Sequence, residues 1–120
     1  SPLQYAIARY LSRFPDAWTG LSAFFQIKRD LLVERLAGSG FEPVPAAGTY
    51  FQLVDYGALS RATDIEFADR LIREAKVATI PLSPFYAAPP PMTLLRLCIA
   101  KRDETLLAAA EQLRRFAARL

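Results

Sequence analysis

The sequence contains no histidine and a single cysteine, Cys98. Without histidine there is no Ser-His-Asp triad, no Cys-His pair, no His-ligated metal or haem and no imidazole pH switch. A lone cysteine excludes an intramolecular disulfide and any Cys-based zinc cluster. Lysine is scarce as well, with Lys28, Lys76 and Lys101 the only three. No apolar run approaches the roughly 20 residues of a membrane span. Ser1 to Ser12 lacks the basic start and uninterrupted apolar stretch of a signal peptide, so a reduced, cytoplasmic setting is expected. The chain has no initiator Met and opens on the helix entry Ser1-Pro2, which reads as a piece of something longer.

What is present suits one globular domain: 120 residues, 52% hydrophobic and 22% charged, enough to build a core without covalent staples. The 15 basic residues, 12 of them Arg, are mixed with 12 acidic ones for a net +3. Lys28-Arg29 stands beside Asp30 and Glu34, and Arg114-Arg115 beside Glu111, the pattern of paired and solvated helix faces. No basic stripe interleaves with aromatics, so nucleic acid is not an expected partner.

Ser1 and Pro2 cap a helix carrying Leu3, Tyr5, Ala6, Ile7, Tyr10 and Leu11 to about Arg13, where Phe14-Pro15-Asp16 breaks it. Leu21, Phe24, Phe25, Leu31, Leu32 and Leu36 recur at helical spacing, predicting one long helix from Asp16 to Gly38-Ser39-Gly40. Phe41–Val44 and Thr49–Asp55 read as strands, the second rich in β-formers. Thr63-Asp64-Ile65-Glu66 is a capping box opening a helix to about Ala75. Val77–Pro81 reads as a short strand, Ser83–Pro91 with its four prolines as a loop, and Leu94–Ala100 as the last strand. Asp103 then caps a closing helix through Leu106, Leu107, Ala110, Leu113, Ala117 and Leu120. The order predicts an α+β fold with a small, mostly antiparallel sheet backed by helices.

Alternation along Leu94–Ala100 places Leu95, Leu97 and Ile99 on one face and Leu94, Arg96, Cys98 and Ala100 on the other. An arginine among so much apolar surface needs an anionic partner. That partner is either a carboxylate of the chain itself or a ligand carboxylate or phosphate, whose geometry the planar guanidinium matches bidentately. Gly48-Thr49-Tyr50-Phe51 reads as a tight turn into a buried strand, or as a place where Gly48 lets backbone approach a ligand. Pro81-Leu82-Ser83-Pro84-Phe85-Tyr86 is a stiffened loop able to wall a pocket with Phe85 or Tyr86. Lys28 and Lys76 are expected in solvent, no lysine suggests a Schiff base, and Cys98 reads as a small buried hydrophobe.

Taken in order, Ser1-Pro2-Leu3-Gln4, Phe25-Gln26-Ile27-Lys28-Arg29-Asp30, Gly48-Thr49-Tyr50-Phe51 with Asp55-Tyr56, Ile80-Pro81-Leu82-Ser83-Pro84-Phe85 and Leu95-Arg96-Leu97-Cys98-Ile99-Ala100-Lys101 resemble the C-terminal part of a class I/II aminotransferase of fold type I. The Gly-Thr-Tyr-Phe strand and Pro-X-Ser-X-Phe loop are similar to those of the methionine and kynurenine aminotransferase branch. The resemblance implies connecting helices over 1–40 and a small domain over 41–120, with pyridoxal phosphate as cofactor. It implies amino-acid and 2-oxo-acid substrates and a homodimeric full-length protein. Arg96 would hold the substrate α-carboxylate, and Gly48, Tyr50 and Phe85 would border the substrate. No catalytic or metal residue is implied within the chain: the Schiff-base lysine and the other cofactor-holding groups would precede Ser1, leaving the 120 residues inactive alone. A β-lyase or synthase of the same fold, or a stand-alone anion-binding or interaction module, are the competing readings.

Overall fold

The computed structural model describes all 120 residues. Its frame is a four-stranded antiparallel sheet of order β1-β2-β4-β3, formed by β1 (Glu42–Pro43), β2 (Phe51–Asp55), β3 (Ile80–Pro81) and β4 (Leu94–Cys98). Helices α1 (Pro2–Arg13), α2 (Asp16–Thr19), α3 (Leu21–Leu36), α4 (Asp64–Arg70) and α5 (Asp103–Ala118) complete it, giving the expected α+β architecture. No helix is long and apolar enough to cross a membrane.

The two central strands alternate strictly. Gln52, Val54, Leu95 and Leu97 are buried on one face, while Phe51, Leu53, Asp55, Leu94, Arg96 and Cys98 are half-buried on the other. The buried face joins Leu32 and Leu36 of α3, Phe67 and Ala68 of α4, and Ala110, Leu113 and Phe116 of α5 in one core. Its centre is aromatic: the Tyr56 ring stacks on Phe67 at 4.2 Å, with Phe116 at 5.8 Å and Phe41 at 6.2 Å from Phe67. The Tyr56 hydroxyl donates to the Ala62 carbonyl at 2.7 Å. Burial, with the Asp64, Asp55 and Glu66 carboxylates nearby, pushes its pKa up to about 12.

Several elements depart from the sequence pattern for local reasons. The long helix predicted from Asp16 is two, interrupted at Gly20, where the low helix propensity of glycine meets a junction without a side-chain cap. Strand β2 starts at Phe51 rather than Thr49, because Thr49 holds φ of 67°, a left-handed value that cannot extend a strand. Only Ile80 and Pro81 pair from the Val77–Pro81 stretch: Lys76 turns left-handed at φ 59° and the Val77 amide donates back to the Leu71 carbonyl. Strand β4 ends at Cys98, and Cys98 is half-exposed rather than buried. Within the proline-rich loop, Ser83–Phe85 closes a 3₁₀ turn that accepts Pro84 near its start, where no amide donor is needed. Half of the capping box forms, with the Thr63 hydroxyl accepting from the Glu66 amide at 3.3 Å, and the helix reaches Ala75 through a π-helical last turn, Leu71–Ala75. Asp103 is the first residue of α5, not its cap, and its carboxylate pairs with Lys28 at 2.9 Å.

Arg115 forms the expected exposed pair with Glu111, but Lys28, Arg29 and Arg114 bind helices to their neighbours. Lys28 is largely covered in its pair with Asp103, and Arg29 is 7% exposed. Arg114 of α5 donates to the carbonyls of Arg35 and Ala37, satisfying the C-terminal end of α3.

Candidate functional site

Arg96 stands at the middle of β4, opposite Leu53 on β2 and Ile80 on β3, with its side chain on the face of the sheet that the core leaves open. Its guanidinium lies 3.9 Å above the centre of the Phe51 ring and 5.5 Å from that of Phe85. Two aromatic faces around one cation are worth on the order of 0.5–2 kcal/mol each and fix the plane of the group. They do not neutralise it. The chain's four ion pairs all lie elsewhere, and the Arg96 Nε is buried without a hydrogen-bond partner.

Two carboxylates of neighbouring elements, Asp55 and Asp64, are already engaged. Asp55, on the same face of β2, accepts from the Thr93 hydroxyl at 2.6 Å and the Gly57 amide at 2.8 Å. Asp64, at the start of α4, accepts from the Ser83 amide and hydroxyl, both at 2.7 Å, and from the Ile65 amide at 2.9 Å. Burial alone would raise the Asp64 pKa, but the Ser83 donors and the Ile65 and Leu82 amides outweigh it and hold the carboxyl below its ordinary value. The same bonds anchor the 3₁₀ turn that carries Phe85 to the Arg96 guanidinium.

Arg96 and Phe85 are therefore brought together, around a residue the sequence pattern did not single out, Phe51. Tyr50 is exposed and reaches this group indirectly, its ring 4.3 Å from Phe51 and 6.3 Å from Phe25. Gly48 is also exposed, and a Cβ on it would meet nothing within 4 Å; its carbonyl accepts from Arg29. Arg29 and Asp64 are the other residues missed: both look like ordinary charges on helices, and only their burial reveals them.

The three lysines are accounted for. Lys28 pairs with Asp103, Lys76 donates to the Arg73 carbonyl at 2.8 Å, and Lys101 is exposed in the turn before α5. A guanidinium beside two rings and outside every ion pair of the chain has the fork geometry to grip a carboxylate or phosphate.

Comparison with known proteins matches residues 1–113 to the family described as aminotransferase class I and II. The chain belongs to this family. Its members are fold type I transferases dependent on pyridoxal phosphate. The chain is similar to methionine aminotransferase of Escherichia coli (strain K12), with 50% identity over 116 residues, 97% of this chain and 30% of that protein. It is 29% identical to mouse (Mus musculus) kynurenine–oxoglutarate transaminase 3 over 92% of the chain and 29% of the relative. The crystal structure of the E. coli enzyme superposes with a TM-score of 0.90 over 95% of this chain and 30% of its own. N-succinyldiaminopimelate aminotransferase from Mycobacterium tuberculosis superposes at 0.83 with 34% identity, over 94% and 30%. The chain thus spans about 30% of the length of the relatives it matches.

Proposed function

We propose that the chain is the C-terminal, substrate-capping part of a pyridoxal-phosphate-dependent aminotransferase that moves an amino group from an amino acid to a 2-oxo acid. Residues 1–40 connect it to a cofactor-binding domain, residues 41–120 form the small domain, and the full-length protein is a homodimer. Arg96 binds the substrate α-carboxylate, with Phe85 and Tyr50 bordering the substrate and Gly48 leading the strand toward it. The observation that carries this reading is the state of Arg96: a charged group on the open sheet face, beside the rings of Phe51 and Phe85, with no ion pair to a carboxylate of its own chain. A bidentate grip there fixes the substrate's orientation and so presents its α-amino group to the cofactor, the proximity part of catalysis. The cofactor, when bound, supplies the aldehyde that takes up the amino group, and residues outside this chain hold it. The 120 residues alone are inactive.

The test is Arg96→Lys in the full-length holoprotein, with methionine as the first donor to try. Lysine cannot reproduce the fork, and losing one charge-assisted bond of about 1.5–3 kcal/mol raises KM roughly 10- to 100-fold. An unchanged KM removes Arg96 from this role.

A further inference from the structure

Arg29 is the most deeply buried cation in the molecule, 7% exposed, and it takes part in none of the ion pairs. A guanidinium stays protonated under any ordinary condition, so the fold must compensate this charge with dipoles. Three backbone carbonyls do so. Nη2 donates to Thr49 at 2.6 Å, to Gly48 at 2.9 Å and, more weakly, to Phe51 at 3.5 Å, while Nε has no partner.

These carbonyls converge because Thr49 is left-handed, at φ 67°. For a β-branched residue that conformation is a genuine outlier, costing on the order of 1–2 kcal/mol, and it persists only where surrounding contacts impose it. The curl and the cation stabilise each other: the carbonyls solvate the guanidinium, and the guanidinium relieves the mutual repulsion of the carbonyls.

The curl leads directly into the Arg96 site. The next carbonyl, Tyr50, accepts from the Ile99 amide at 2.9 Å and locks the register of β2 against β4. Phe51 follows, and its ring lies under the Arg96 guanidinium. Since the Arg96 Nε has no hydrogen-bond partner, the two rings and not polar contacts set its direction.

We propose that Arg29 is a positioning residue: through the carbonyls of residues 48–51 it places the Phe51 ring, and through that ring it aims Arg96 at the substrate carboxylate. This rests on the carboxylate-binding reading of Arg96 given above.

The experiment uses the full-length holoprotein with Arg29→Lys, Phe51→Leu and Arg96→Lys, each assayed for KM and kcat with the amino-acid donor. Inhibition by 4-methylthiobutyrate, a carboxylate without an amino group, reads the carboxylate grip separately. Arg29→Lys and Phe51→Leu are each expected to raise KM and the inhibition constant together, about 5- to 10-fold, with kcat within about twofold. A merely structural role lowers stability and active fraction, and leaves the inhibition constant of the remaining enzyme unchanged. If Arg29→Lys does not fold, Phe51→Leu decides, because it removes the ring and spares the curl. Unchanged constants in either folded variant overturn the proposal. If Arg96→Lys raises KM sharply in the same experiment, only the positioning role has failed; if it does not, the carboxylate-binding reading falls first and takes this one with it.

Discussion

Asp64 shows how one carboxylate can govern a site it does not enter. It is 4% exposed and holds Ser83 by two bonds, so the turn carrying Phe85 is fastened to the start of α4. Asp64→Asn keeps the shape but removes the charge and one acceptor, and is expected to destabilise the chain by about 2 kcal/mol, measured by chemical denaturation. The carboxyl's folded pKa lies below the 3.8 of the free group, so its stabilising contribution is complete above about pH 4 and is lost as pH falls through the lower folded value. Denaturation at a series of pH values below 5 should show this loss in the native sequence and a smaller one in Asp64→Asn. From sequence, Asp64 reads only as part of a helix start, because its partner lies 19 residues away.

At the level of elements, the periodic ones behave as their patterns dictate, and the junctions do not. Strand β4 buries Leu95 and Leu97 and leaves Arg96 on the open face, as alternation requires. Helix α5 buries Leu106, Ala110, Leu113 and Phe116 at helical spacing. The junctions depend on contacts from elsewhere in the chain, as at Gly40 between α3 and β1. It has φ of 94°, and a Cβ there would collide with the side chain of Leu59, far away in sequence. Gly40→Ala is therefore expected to cost about 1–3 kcal/mol, through backbone strain and overpacking together, read as a lower denaturation midpoint with unchanged slope.

The molecule as a whole is more extended than its composition suggests. Its radius of gyration is 16.8 Å, against roughly 14 Å for a compact domain of this length. Only 21 of its 120 residues are buried, and α1 buries none. Leu3, Tyr5, Ile7, Tyr10, Phe14 and Trp18 are all at least half exposed. An apolar surface of this kind associates in water. The 120-residue chain by itself is expected to form dimers or larger species in light scattering, and Ile7→Glu with Tyr10→Glu to shift it toward monomer. A native chain that is monomeric at all concentrations would overturn this expectation.

The sequence by itself determined the α+β order of elements, the face of β4 on which Arg96 stands, and the family, because periodicity and motif spacing are local properties written in consecutive residues. It could not determine which charges are buried. Lys28, Arg29 and Asp64 look like any helix-surface charges until α3, α4 and α5 pack against the sheet and the loops. Nor could it place the left-handed residue of the 48–51 turn, where glycine was the natural candidate and threonine takes the conformation. That choice, and the absence of an internal carboxylate beside Arg96, were decided by tertiary structure, since a buried cation takes whatever oxygens the assembled fold brings within reach.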